Sequence, residues 1–131
     1  MNKRSTLTNT PDSCLRAAAQ RIFDKKGINI LVLDVRNVST MTDYFIFADG
    51  NVERHVQALA KHTADILREM GQRALHVEGD SIGDWIVLDY GDIVIHLMTA
   101  EMRERYAIEQ IWKEGKVVDV ELRAEGVSAS S

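Results

Sequence analysis

Two apolar runs, 85–88 (WIVL) and 93–98 (IVIHLM), stand on either side of the four residues Asp89, Tyr90, Gly91 and Asp92. Short runs rich in β-branched residues around a glycine-bearing turn specify a β-hairpin. A half-buried hairpin alternates apolar with polar, but these arms are apolar on both faces. Trp85 and Val87 point one way and Ile86 and Leu88 the other; Ile93, Ile95 and Leu97 oppose Val94 and Met98. A strand pair covered on both sides by other elements has this character. Such a pair demands a layered fold with the hairpin near the middle of a sheet.

The rest of the chain supplies the layers. The segment PDSCLRAAAQRIFDKKG sets Leu15, Ala18, Ala19, Ile22 and Phe23 on one helical stripe, with Asp12 as a cap and Gly27 as a stop. INILVLDV and DYFIFADG read as two strands, the second ending at the turn residues 49–51. A long amphipathic helix follows. Val56, Leu59, Ala60, Thr63, Ile66, Leu67 and Met70 fall at helical spacing, Asn51 is placed to cap it and Gly71 to end it. On its polar face Lys61 and Asp65 stand four residues apart. RALHVEG reads as a third strand, and Thr99 caps a short helix through AEMRERY, with further turns in AIEQIWKEG. The final stretch holds a strand within 117–122. The expected fold is one α/β domain, a mixed β-sheet of about five strands flanked by helices. Residues 1–11 are expected to form a flexible N-terminus, 12–114 the domain, and 115–131 a C-terminal tail.

Length and composition agree with one domain. The chain has 131 residues, enough to bury a core. Its single cysteine, Cys14, makes no internal disulfide and fits a reducing compartment. No apolar run nears the roughly 20 residues of a membrane span, and the first residues lack the apolar core of a secretory signal. A cytoplasmic protein is expected. The net charge of −4 is unevenly spread, since residues 78–104 carry seven acids (Glu78, Asp80, Asp84, Asp89, Asp92, Glu101, Glu104) against Arg103. Nucleic-acid binders show a basic face, so a basic protein surface suits this acidic segment better than DNA.

Catalytic chemistry is poorly provided for. His55 and His62 lie seven apart on one helix, too far for a shared metal, and His76 and His96 lie on strands. The GDSIG match to a nucleophile elbow falls between two strands rather than at a strand-to-helix turn. A metal-dependent nucleotidyltransferase needs paired carboxylates as Asp-x-Asp; here Asp43 is followed two residues on by Phe45. No metal or cofactor is expected, and the transferase stands as the enzymatic alternative. Recognition is better served. Trp85, Tyr90, Arg103, Tyr106 and Trp112 are of the types enriched at interface hot spots, and acids surround them.

The motifs LDVRNVSTMTDYFIFADGN, RHVQALA, VEG, WIVLDYGDIVIHL and ERYAIEQIW, in this order, resemble the ribosomal silencing factor family, whose members include the Iojap-related proteins. The resemblance covers about residues 15–112. It implies a fold related to nucleotidyltransferases but without their catalytic residues, and a non-enzymatic function. Family members bind large-subunit ribosomal protein fourteen, block joining of the small subunit and repress translation when nutrients are limiting. Organellar relatives act in ribosome assembly, and free members tend to be homodimers; a homodimeric assembly scaffold is therefore a further alternative. Combining the resemblance with the acidic rim, we expect the partner-binding residues to be Trp85, Asp89, Tyr90, Asp92, Glu101 and Tyr106.

Overall fold

The computed structural model describes residues 11–107, 110 and 112–124. The elements in chain order are α1 (Pro11–Asp24), β1 (Ile28–Asp34), β2 (Tyr44–Gly50), α2 (Glu53–Glu69), β3 (His76–Glu78), β4 (Trp85–Asp89), β5 (Ile93–Thr99), α3 (Ala100–Tyr106) and β6 (Lys116–Val117). They form one sheet in the order β3-β4-β5-β2-β1-β6, so the described residues contain six strands rather than about five. Only β2 and β5 run parallel; every other neighbouring pair is antiparallel. The parallel pair needs a crossover, and α2 with the β3–β4 ribbon supplies it.

The expected hairpin is β4–β5, with Trp85 opposite Met98 and Asp89 opposite Val94. Gly91 makes its turn at φ 89°, a conformation costly for residues with a Cβ. The adjoining strand β5 pairs β4 on one side and β2 on the other, which puts it in the middle of the sheet.

Both long helices lie on the same face. Cys14, Leu15, Ala18, Ala19 and Ile22 of α1 and Val56, Leu59, Ala60 and Leu67 of α2 pack with Ile46, Ala48, Ile86, Leu88, Ile95 and Leu97 from the strands. The alternate strand residues form a second, smaller apolar layer on the opposite face: Leu33, Val35, Phe45, Phe47 and Met98, with Leu31, Trp85, Val94, Met102 and Trp112 packed against them. Each strand residue follows its parity.

Helix ends differ from expectation at the start and agree at the stop. Asp12 is not the cap of α1; it lies in the first turn and pairs with Arg16 at 3.1 Å. Asn51 does not cap α2. Val52 holds the N-cap position without a side-chain bond, and the Asn51 N–H donates instead to His55 Nδ1 at 2.8 Å. At the other end Gly71 (φ 86°) donates to the Arg68 carbonyl at 2.9 Å, and the Gln72 N–H to that of Leu67 at 2.8 Å. This pair of bonds is a Schellman motif. The Lys61–Asp65 pair forms at 3.1 Å.

The stretch expected as a C-terminal tail is packed onto the sheet over 116–123. Lys116 and Val117 pair with β1, and the Val118 N–H donates to the Val32 carbonyl at 2.9 Å. Val120 is buried in the helix-side core, and Arg16 reaches Glu121 at 3.3 Å. The extra turns expected in AIEQIWKEG, the flexible N-terminus and the chain end beyond 124 fall wholly or partly outside the described residues.

Candidate docking surface

The helix-free face of the sheet has an aromatic centre. Phe45 and Phe47, two apart on β2, hold their ring centroids 5.4 Å apart. His96 stacks on Phe47 at 5.2 Å and 20°, and Trp112 lies 5.1 Å from Phe45. Trp85 continues the row, 6.1 Å from His96 and 5.4 Å from Tyr106 of α3. Burial deepens from Tyr106, which is exposed, through half-buried Trp85 to the buried Phe45, Phe47 and His96. The row therefore runs from the surface into the core.

His96 fixes Trp85 in place. The Trp85 Nε1–H donates to His96 Nδ1 at 3.1 Å, which requires that nitrogen to be unprotonated. Burial pushes the His96 pKa down from 6.5 to about 4, so the ring is neutral at pH 7 and available as an acceptor.

A short helix closes the far end. Thr99 Oγ1 accepts the Met102 N–H at 3.3 Å, and α3 ends at Ala107 in the left-handed conformation. No residue of α3 is fully buried, so apolar packing alone holds it weakly. The anchor is ionic. Arg103 Nη1 lies 2.9 Å from Asp49 Oδ1, with the two side chains 11% and 4% exposed. Asn29 Nδ2 donates to the other Asp49 oxygen at 2.8 Å, and Arg103 also donates to the Asn29 carbonyl oxygen. Asp49, next to last in β2, has the parity of Phe45 and Phe47, so this cluster clamps α3 over the aromatic face.

The expected partner-binding residues divide between the two faces. Trp85 and Tyr106 touch on the aromatic face. Asp89, half-buried on the same face, accepts the Gly91 N–H at 2.8 Å and shapes the hairpin turn. Asp92 is exposed at that turn, and its carbonyl accepts the N–H groups of Asp43 and Tyr44 at 3.1 and 3.0 Å. Glu101 is exposed on α3 and pairs with Arg105 at 3.2 Å. Tyr90 goes elsewhere: it is buried in the helix-side core, and desolvation raises its phenol pKa. The turn between β4 and β5 rotates it away from Trp85.

Sequence reasoning missed Phe45, Phe47 and His96 as the floor of this face, and Asp49 as the anchor of α3. The aromatic spacing Phe45-x-Phe47 was the available signal for the floor. Phe45, at the position where a two-metal transferase would carry its second carboxylate, lies within this apolar layer. Among the described residues no cluster of three or more His, Cys, Asp or Glu side chains is arranged to hold a metal ion.

A family model described as "Ribosomal silencing factor during starvation" matches residues 8–131. The chain belongs to the ribosomal silencing factor family. It is 33% identical over 109 residues to the ribosomal silencing factor of Bacillus subtilis, covering 83% of this chain and 92% of that protein. The Haemophilus influenzae silencing factor is 36% identical over 87 residues, covering 66% of this chain and 85% of that protein. A mouse protein named for mitochondrial assembly of the ribosomal large subunit is 33% identical over 87 residues, which span 64% of this chain and 38% of the longer mouse protein. A crystal structure from Chromobacterium violaceum matches with a TM-score of 0.77 at 30% identity, covering 89% of this chain and 97% of that one. A Bacillus halodurans structure matches at 0.71, also 30% identical, covering 80% and 95%. The family resemblance carried by the sequence motifs and the mixed α/β fold thus agree with these relatives.

Proposed function

We propose that this chain silences ribosomes by occupation rather than by chemistry. Its aromatic face docks on large-subunit ribosomal protein fourteen, and its body then stands where the small subunit must join. Translation is thereby repressed when nutrients are limiting. The protein acts in the cytoplasm and is a homodimer when free. Trp85 and Tyr106 form the apolar centre of the contact, and Asp89, Asp92 and Glu101 its acidic rim. Tyr90 contributes only by packing behind the sheet.

The observation that carries this reading is the half-buried Trp85 and exposed Tyr106 in contact, within a segment (78–106) of seven acids and two bases, in a chain of the silencing factor family. An aromatic pair inside a polar rim is the usual anatomy of a protein-binding hot spot. An interface of ordinary size, about 1,600 Å² in total, is enough for stable occupation. No step needs a metal or a nucleophile.

Binding is tested by titrating purified protein fourteen into the full chain in a calorimeter, with co-sedimentation on isolated large subunits in parallel. Saturable one-to-one binding and retention by large but not small subunits are expected. Absence of binding to either the isolated protein or the large subunit overturns the proposal.

A further inference from the structure

The two edges of the sheet are treated differently. Along the β6 edge the chain runs on past the strand, its Val118 N–H bonded to Val32 and Val120 buried. The β3 edge has three exposed residues, His76, Val77 and Glu78, and no other described strand pairs with its outer side. It is short and carries the charge of Glu78, but it has neither a proline nor a lysine. Around it stand three exposed apolar side chains, Leu75 (74% exposed), Val77 (44%) and Ile82 (69%). The helical layer stops short here. A groove of about 310 Å³ runs between α2 and the β3–β4 ribbon, lined by Ala60, Ala64, Val77, Ile86 and Leu88 among others.

We propose that β3 pairs with β3 of a second copy, antiparallel about a twofold axis at Val77, to join two sheets into one of twelve strands. This inference rests on the homodimer of the functional reading and names its interface. Two features of the edge are self-complementary, as a twofold contact requires. With Val77 opposite its own copy, His76 faces Glu78 of the partner and Glu78 faces His76, giving two cross-strand pairs of opposite polarity. Parallel in-register pairing would instead set Glu78 against Glu78. Within one chain His76 Nε2 and Glu78 Oε2 already lie 2.8 Å apart, so the same groups are preset on one face.

The other face of the edge is apolar. Val77 pairs with Leu88 of the helix-side core, so Val77 stands on that side. In the proposed register Val77, which lines the groove, meets its own copy at the dyad, and an apolar side chain 44% exposed in one copy gains cover from the next.

The test uses the full chain. Sedimentation equilibrium over a range of concentrations gives the dimer dissociation constant for wild type, Val77→Lys, His76→Glu and the swap His76→Glu/Glu78→His. Circular dichroism checks that each variant folds. Both single variants should weaken the dimer by at least about tenfold, because each adds like charges across the strand pair. The swap restores opposite polarity and should return the constant to within about threefold of wild type. Val77→Cys should form an intermolecular disulfide, since Cα atoms across an antiparallel dyad lie about 4.5–5.5 Å apart. A wild-type dimer that persists in Val77→Lys and His76→Glu overturns the inference and leaves ribosomal docking untouched. A monomer at every concentration overturns both this interface and the homodimer of the functional reading, while binding to protein fourteen is judged by its own assay. Dimer loss in the single variants without recovery in the swap also overturns the proposed register.

Discussion

Arg103→Ala tests the idea that α3 is held over the aromatic face by a buried ion pair. In the wild type Arg103 and Asp49 are 11% and 4% exposed and 2.9 Å apart. Deleting the guanidinium leaves the Asp49 carboxylate buried with the Asn29 amide at 2.8 Å as its remaining described side-chain donor. Stranding a buried charge costs about 3–5 kcal/mol, far above the value of an exposed pair. At about 4 °C per kcal/mol for a domain of this size, Tm should fall by about 12–20 °C. Asp49→Asn in the same background removes the stranded charge and should recover half or more of the loss. Urea unfolding followed by tryptophan fluorescence measures the wild type and both variants, and Trp85 lies against Tyr106 of α3, so local release of the helix appears in the same signal. A loss below about 1 kcal/mol for Arg103→Ala would mean the pair is solvated and α3 is held by something else.

Three further outcomes follow from the same geometry. Trp85→Ala removes a half-buried ring contacting His96 and Tyr106, so it should cost about 2 kcal/mol of stability and about 2 kcal/mol or more of affinity for protein fourteen; unchanged affinity in the folded variant would remove Trp85 from the contact. His96 titrates near 6.5 when unfolded and at about 4 when folded, so the stability its burial permits is fully present above pH 6.5 and is lost as pH falls toward 4, by roughly 3 kcal/mol. His96→Gln should flatten that part of the stability curve measured by urea titration between pH 7 and 4, and parallel curves would contradict the neutral buried ring. Gly79→Ala drives a Cβ into the Trp85 carbonyl and should destabilise more than Gly71→Ala, whose left-handed φ of 86° costs about 1 kcal/mol; equal thermal shifts would contradict the close approach.

What could be read from the sequence was local. The β4–β5 hairpin, the α2 stripe, the Gly71 stop and the Thr99 cap each depend on residues within a turn or two of one another. The two-sided burial of the hairpin was also legible, because both parities are apolar. Which elements cover each side was not, since helical stripes do not say that α1 and α2 share one face. Asp49 shows the same limit. Beside Gly50 and Asn51 it has the composition of a solvated turn, and its burial depends on Arg103, 54 residues away. Arg103 read as a hot-spot candidate and instead serves the fold. Tyr90 sat between Asp89 and Gly91 as an apparent rim residue, yet the turn directs it into the opposite core. The strand expected within 117–122 is only Lys116–Val117 in the structure, and Val120 is buried from a stretch beyond it that has no strand period to read.

The most direct measurement is subunit joining itself, followed by light scattering as purified small and large subunits are mixed with increasing amounts of this protein. Wild type should abolish the rise in scattering at saturation, and folded Trp85→Ala should require a concentration about thirtyfold higher, the equivalent of about 2 kcal/mol. Joining that proceeds normally with wild type bound to every large subunit would contradict the account.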